Sequence, residues 1–143
     1  MAPLTGPPRK PPAGEDPLGE AIRHETLGEM AATLGRLNTE LVTALARLEG
    51  ARDRLLAAGE DGDDAAGLVE RWQHRHRIAC EALWNVIIQR ELCGLRRHDA
   101  FLDSERVPRS VRILMGPASL ARPAPDPRHS APRPVSSQDP SKS

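Results

Sequence analysis

Leu27, Met30, Leu34, Leu37, Leu41, Ala44, Leu48, Ala51 and Leu55 follow one another at alternating steps of three and four. A strand places every second residue on one face, whereas a period near 3.5 residues is the seam of a helix that packs lengthwise against another helix. Asp16-Pro17 marks the start of that helix, with a side-chain acceptor before a proline whose missing N–H costs nothing in the first turn. No proline interrupts the chain from there to Ala58. A helix over residues 17–58 would be ~63 Å long at the usual rise per residue, and such a seam stays dry only beside a helical neighbour.

The neighbour comes from the same chain. Gly59-Glu60-Asp61-Gly62-Asp63-Asp64 supplies a glycine to end the first helix and aspartates to begin the next, so the acidic stretch reads as a turn. It lacks the ligand pattern of a calcium loop, whose distal glutamate is missing. The second helix is expected over about residues 65–93, ending at Gly94. Folding back at the acidic turn sets Trp72 against Ala51, Ala79 against Ala44 and Leu83 against Leu41, with Val86 near Leu37. Large residues then meet small ones, as close helix packing requires. Two short helices, about residues 98–105 and 108–115, follow; Phe101, Leu102, Val111, Leu114 and Met115 give them apolar faces for the overhanging start of the first helix, near Ile22, Leu27 and Met30.

The fold class is therefore all-α: a long antiparallel, coiled-coil-like helical hairpin plus two short C-terminal helices over residues 17–116. Thirteen of the 14 prolines lie in residues 1–17 and 117–143, so the ends, 1–16 and 117–143, are expected to be disordered. The formal net charge is zero, but residues 18–64 carry five arginines against ten acids and residues 65–116 nine against six. Opposite signs on the two arms favour the hairpin weakly. Cys80 and Cys93 sit among apolar residues with no CxxC spacing, which suits reduced thiols. With no apolar run of signal or membrane length, the expected place is the cytoplasm.

Ala82-Leu83-Trp84-Asn85-Val86-Ile87-Ile88 is apolar on nearly every side, so a single antiparallel neighbour does not cover it. The expected remedy is a homodimer, with Leu34, Leu37, Leu41, Trp84, Ile87, Ile88 and Arg90 as the self-association residues. Arg90 falls on the seam opposite Leu34, where it either fixes register or pairs across the dimer with a glutamate of the first helix, or else runs its stem along the edge. A basic turn, Arg71 with His74-Arg75-His76-Arg77, is more simply a solvated face than an anion site, since successive helical residues diverge; His76 alone falls on the seam, opposite Leu48. The pairs Glu70–His74 and Arg77–Glu81 are spaced to neutralise part of it.

No metal or cofactor is expected. The rings of His74 and His76 would point ~200° apart on a helix, and no Glu-x-x-His pair, phosphate-cradling glycine loop or nucleophile with a neighbouring base is recognisable in the sequence. The stretch Trp84-Asn85-Val86-Ile87-Ile88-Gln89-Arg90-Glu91-Leu92-Cys93-Gly94-Leu95, followed by Val107-Pro108 and Met115-Gly116, resembles a family of small bacterial helical proteins with no assigned activity. The resemblance implies a helical fold over most of residues 18–116 and a bacterial source, with which the scarcity of lysine, two of 20 basic residues, agrees. The reading that follows is a non-catalytic, self-associating interaction or scaffold protein. Its alternative is a nucleic-acid-binding regulator in which Arg106, Arg109 and Arg112, spaced by three, reach a phosphate backbone.

Overall fold

The structure is a computed structural model that describes Pro3, Gly6, residues 16–117, Leu120 and residues 122–129. Most of the expected N-terminal tail and residues 130–143 lie outside the described residues. Four helices form in order: α1 (Pro17–Ala58), α2 (Ala65–Leu92), α3 (Asp99–Ser104) and α4 (Arg109–Leu114), with no strand among the described residues. The chain is all-α, with α1 and α2 packed as a hairpin.

The turn between the arms depends on Gly59, whose φ of 68° and ψ of −173° lie in a region that side chains exclude. The expected side-chain caps do not form at Asp16 or Asp64. Instead their backbone carbonyls accept from Glu20 and Leu68, one helical turn on. Gly94 ends α2 in the left-handed region with φ 82°. There the Leu95 amide donates to the Arg90 carbonyl and the Gly94 amide to that of Glu91, closing both bonds of a Schellman cap. The same pair of bonds ends α3, from Val107 to Leu102 and from Arg106 to Asp103, but here Arg106 takes the left-handed position with φ 51°. An arginine accepts that geometry because Val107, the next residue, is anchored in the core.

The core follows the heptad ribbon only in part. Leu41, Ala44, Leu48, Ala51 and Leu55 of α1 are buried against Trp72, His76, Ala79, Leu83 and Val86 of α2, also at steps of four and three. Toward the N-terminus the ribbon grows wetter: Leu37, Leu34 and Met30 are half-buried, and Leu27 is 61 % exposed. The Gln89 side chain marks the far end of the α2 cover, donating to the Met30 carbonyl at 3.3 Å.

α2 also buries a second flank, where Cys80 and Ile87 meet Val107, Val111 and α4. This corrects the expected placement of the short helices. They do not cover the α1 overhang, and Leu18, Ile22 and Leu27 stay exposed. The two Schellman caps turn the chain back along α2, so Val107 and Val111 find the flank that α1 leaves open.

The second difference concerns the C-terminal boundary drawn at residue 116. Residues 122–129 lie along the hairpin as a strap, with Ala124 buried and its carbonyl accepting from Gln73 Nε2 at 3.1 Å. Arg128 Nη2 pairs with Asp126 Oδ2 at 2.6 Å, and Arg128 Nη1 donates to the Gly59 carbonyl at 3.2 Å, so the strap is fastened to the turn of the hairpin. Pro123, Pro125 and Pro127 suit a non-helical segment, and it ends in a turn closed by the His129 amide donating to the Asp126 carbonyl at 3.0 Å.

Candidate functional site

Among the described residues, His76 is the one buried polar side chain, and its surroundings are the most chemically specific place in the fold. It lies on α2 one turn before Cys80, and α4 brings Ser110 to its other side. Its Nε2 is 3.0 Å from Ser110 Oγ and its Nδ1 3.4 Å from Cys80 Sγ. Cys80 Sγ in turn donates to the Val111 carbonyl at 3.9 Å. Because the thiol has a single proton, that last bond assigns the rest of the chain. Ser110 O–H donates to Nε2, Nδ1–H donates to the sulfur, and S–H donates to the carbonyl, so every donor finds an acceptor when the imidazole is neutral.

Burial enforces that neutral state. Desolvation lowers the His76 pKa below its usual value and raises that of the Cys80 thiol to about 11. The Trp72 ring, with its centroid 5.3 Å from that of His76, closes the apolar side. Ser110 borders a cleft of about 430 Å³ with Trp72, Arg52, Pro108, Pro125 and Pro127, so its hydroxyl lies between the buried network and open space.

A hydroxyl hydrogen-bonded to a neutral imidazole is half of a nucleophile and base arrangement. What catalysis also needs, a carboxylate to steady the imidazolium that would form, is replaced here by a thiol that stays protonated. Mechanically, the network joins α4 to the middle of α2. Its sequence signal was the i, i+4 spacing of His76 and Cys80; the contribution of Ser110 depends on the reversal at residues 93–107 and had no local sign.

The residues expected to mediate self-association separate into three groups. Leu41 and Ile87 are buried within the chain itself. Leu34, Leu37 and Trp84 are half-buried, while Ile88 is 40 % exposed. Arg90 faces α3 rather than a glutamate of α1: its guanidinium lies 4.3 Å from the Phe101 ring centre and donates to His98 Nδ1 and the Arg97 carbonyl.

The basic residues change roles as well. Arg106, Arg109 and Arg112 do not form one outward face, because Arg112 turns inward to the Val107 and Leu102 carbonyls and pairs with Asp103 at 2.8 Å. The spaced pairs Glu70–His74 and Arg77–Glu81 form no ion pair in the structure. Among the described residues no group of three or more His, Cys, Asp or Glu is placed to hold a metal ion, and no helix is long and apolar enough to cross a membrane.

No curated protein and no solved structure matches the chain. A family model matches residues 10–124, from before the first helix to the buried Ala124 of the strap. The chain thus belongs to DUF6665, a family of unknown function.

Proposed function

We propose that this is a non-catalytic helical interaction protein of the bacterial cytoplasm that self-associates as a homodimer through the open end of its hairpin. One observation carries the reading. The coiled-coil-like ribbon continues to Leu27, yet its cover within one chain is complete only from Leu41 onward. Beyond that point Leu18, Ile22 and Leu27 of α1 are exposed, as are Ile88 and Leu92 of α2, with Trp84 half-buried one turn before Ile88. Each large side chain moved from water to an interface contributes on the order of 1.5–3 kcal/mol.

Charge supports a second copy as the occupant. The overhang carries Glu20, Glu25 and Glu29 against Arg23, whereas the end of α2 is flanked by Arg96 and Arg97. A two-fold arrangement lays the acidic overhang of each copy on the Trp84, Ile88 and Leu92 stripe of the other, which makes the contact self-complementary. Two free thiols, one of them deep in the core, suit a reducing compartment. The nucleic-acid alternative has Arg106 and Arg109 to draw on but not Arg112, which is engaged within the domain.

Sedimentation or light scattering tests the proposal. The wild-type chain is expected at twice its 15.6 kDa mass, and Ile88→Glu with Leu92→Glu is expected to halve the mass while preserving helicity. A wild-type chain that runs as a monomer at high micromolar concentration overturns it.

A further inference from the structure

We infer that a groove between α1 and α2, walled by Arg47, Arg54 and Arg75 and floored by Gly50, binds a small, multiply charged phosphoanion of the di- or triphosphate class. The three arginines line one open depression of about 530 Å³, together with Thr43 and Ala46. None of them makes an ion pair in the structure, and no carboxylate lines the depression. Three guanidiniums around one hollow repel one another, and a bound anion removes that cost while accepting paired N–H donors from each.

Gly50 is the floor of that depression. It lies inside a helix, where glycine is a poor choice, and it is half-buried. A methyl built there would nevertheless meet nothing within 4 Å, so neighbouring packing does not demand a glycine. Its effect is to leave open the floor of the groove that the three arginines line.

The dimensions and the borders select the ligand. Arg47 and Arg54 stand two helical turns apart, ~10 Å along the axis, a span suited to a chain of phosphates rather than a single one. A longer polyanion is disfavoured at both ends. Glu40 and Glu81 line the adjoining groove beside Arg47, and the acidic turn with Glu60, Asp61, Asp63 and Asp64 follows a few residues after Arg54. A nucleic-acid strand continuing past the arginines would run into carboxylates on either side.

The test is calorimetric titration of the full chain at low ionic strength with sodium triphosphate, inorganic phosphate, sulfate and a short oligonucleotide as separate probes. Triphosphate is expected to bind more tightly than either small anion and more tightly than the oligonucleotide. Arg75→Gln and Arg54→Gln should each weaken triphosphate binding about tenfold, roughly what one lost charge-assisted pair is worth. Gly50→Met, which fills the floor without changing charge, should weaken it similarly, while Arg109→Gln on α4 leaves it unchanged; circular dichroism confirms that each variant is folded. No binding of triphosphate, equal binding by wild type and Gly50→Met, or preference for the oligonucleotide overturns the inference.

Discussion

Burial holds the His76 ring neutral and the Cys80 thiol protonated, and that has a cost at both ends of the pH scale. An unfolded histidine takes up a proton near pH 6.5, whereas the buried ring resists until the pH is lower. Below about pH 6.5 the unfolded chain therefore binds a proton that the folded chain refuses, and stability falls with falling pH. Cys80 acts in the opposite sense. The unfolded thiol ionises near 9.0 and the buried one near 11, so across that interval folding requires a proton the unfolded chain has lost, and stability falls as the pH rises. Thermal melts should give a broad maximum between the two limits, with the alkaline limb removed by Cys80→Ala. Removing the hydroxyl alone, in Ser110→Ala, leaves Nε2 without its donor and should cost about 1–3 kcal/mol in denaturant unfolding. A stability unchanged by that substitution would mean that water replaces the hydroxyl from the adjacent cleft.

At the level of elements, the hairpin turn rests on one residue. Gly59 occupies a backbone region open to glycine alone, so Gly59→Ala should cost about 1–3 kcal/mol, measured as a lower denaturation midpoint with an unchanged slope. Both long helices, their junction and the burial of Trp72, Ala79 and Leu83 in one core with the α1 seam are legible in the sequence, because period and breaker residues act locally. The direction taken by α3 and α4 was not. It is set by the left-handed residues Gly94 and Arg106, and an arginine in that position gives no warning of a reversal. The surroundings of Arg90 depend on the same reversal: by register it stands opposite Leu34, and the reversal brings Phe101 and His98 of the same chain to it. The half-wet seam from Met30 to Leu37 was likewise invisible, since a repeat records that a face wants cover and not how far the available helix extends.

Across the whole molecule, the strap is what composition concealed. Proline-rich segments lack the means to build a core, yet residues 122–129 use one already built, inserting Ala124 and fastening Arg128 beneath the turn. The Arg128 hydrogen bond holds the Asp126 carboxyl below its usual pKa, so the clasp is present at neutral pH and weakens in acid as that carboxyl protonates. Arg128→Ala should release the strap without unfolding the hairpin. Limited proteolysis near residues 122–129 would become faster and the emission of Trp72, which borders the cleft beside Pro125 and Pro127, would shift to the red. Unaltered cleavage would show that Ala124 and Gln73 suffice to hold it.

The uneven drying of α1 makes the molecule a cantilever. Its root is clamped where Leu41 to Leu55 are sealed, and its first three turns project past Leu92 with almost no share in the cooperative unit. Substitutions in those turns are thus nearly silent in the folding of a single chain and are felt instead through self-association, so selection on the tip follows what it touches rather than the threshold for folding.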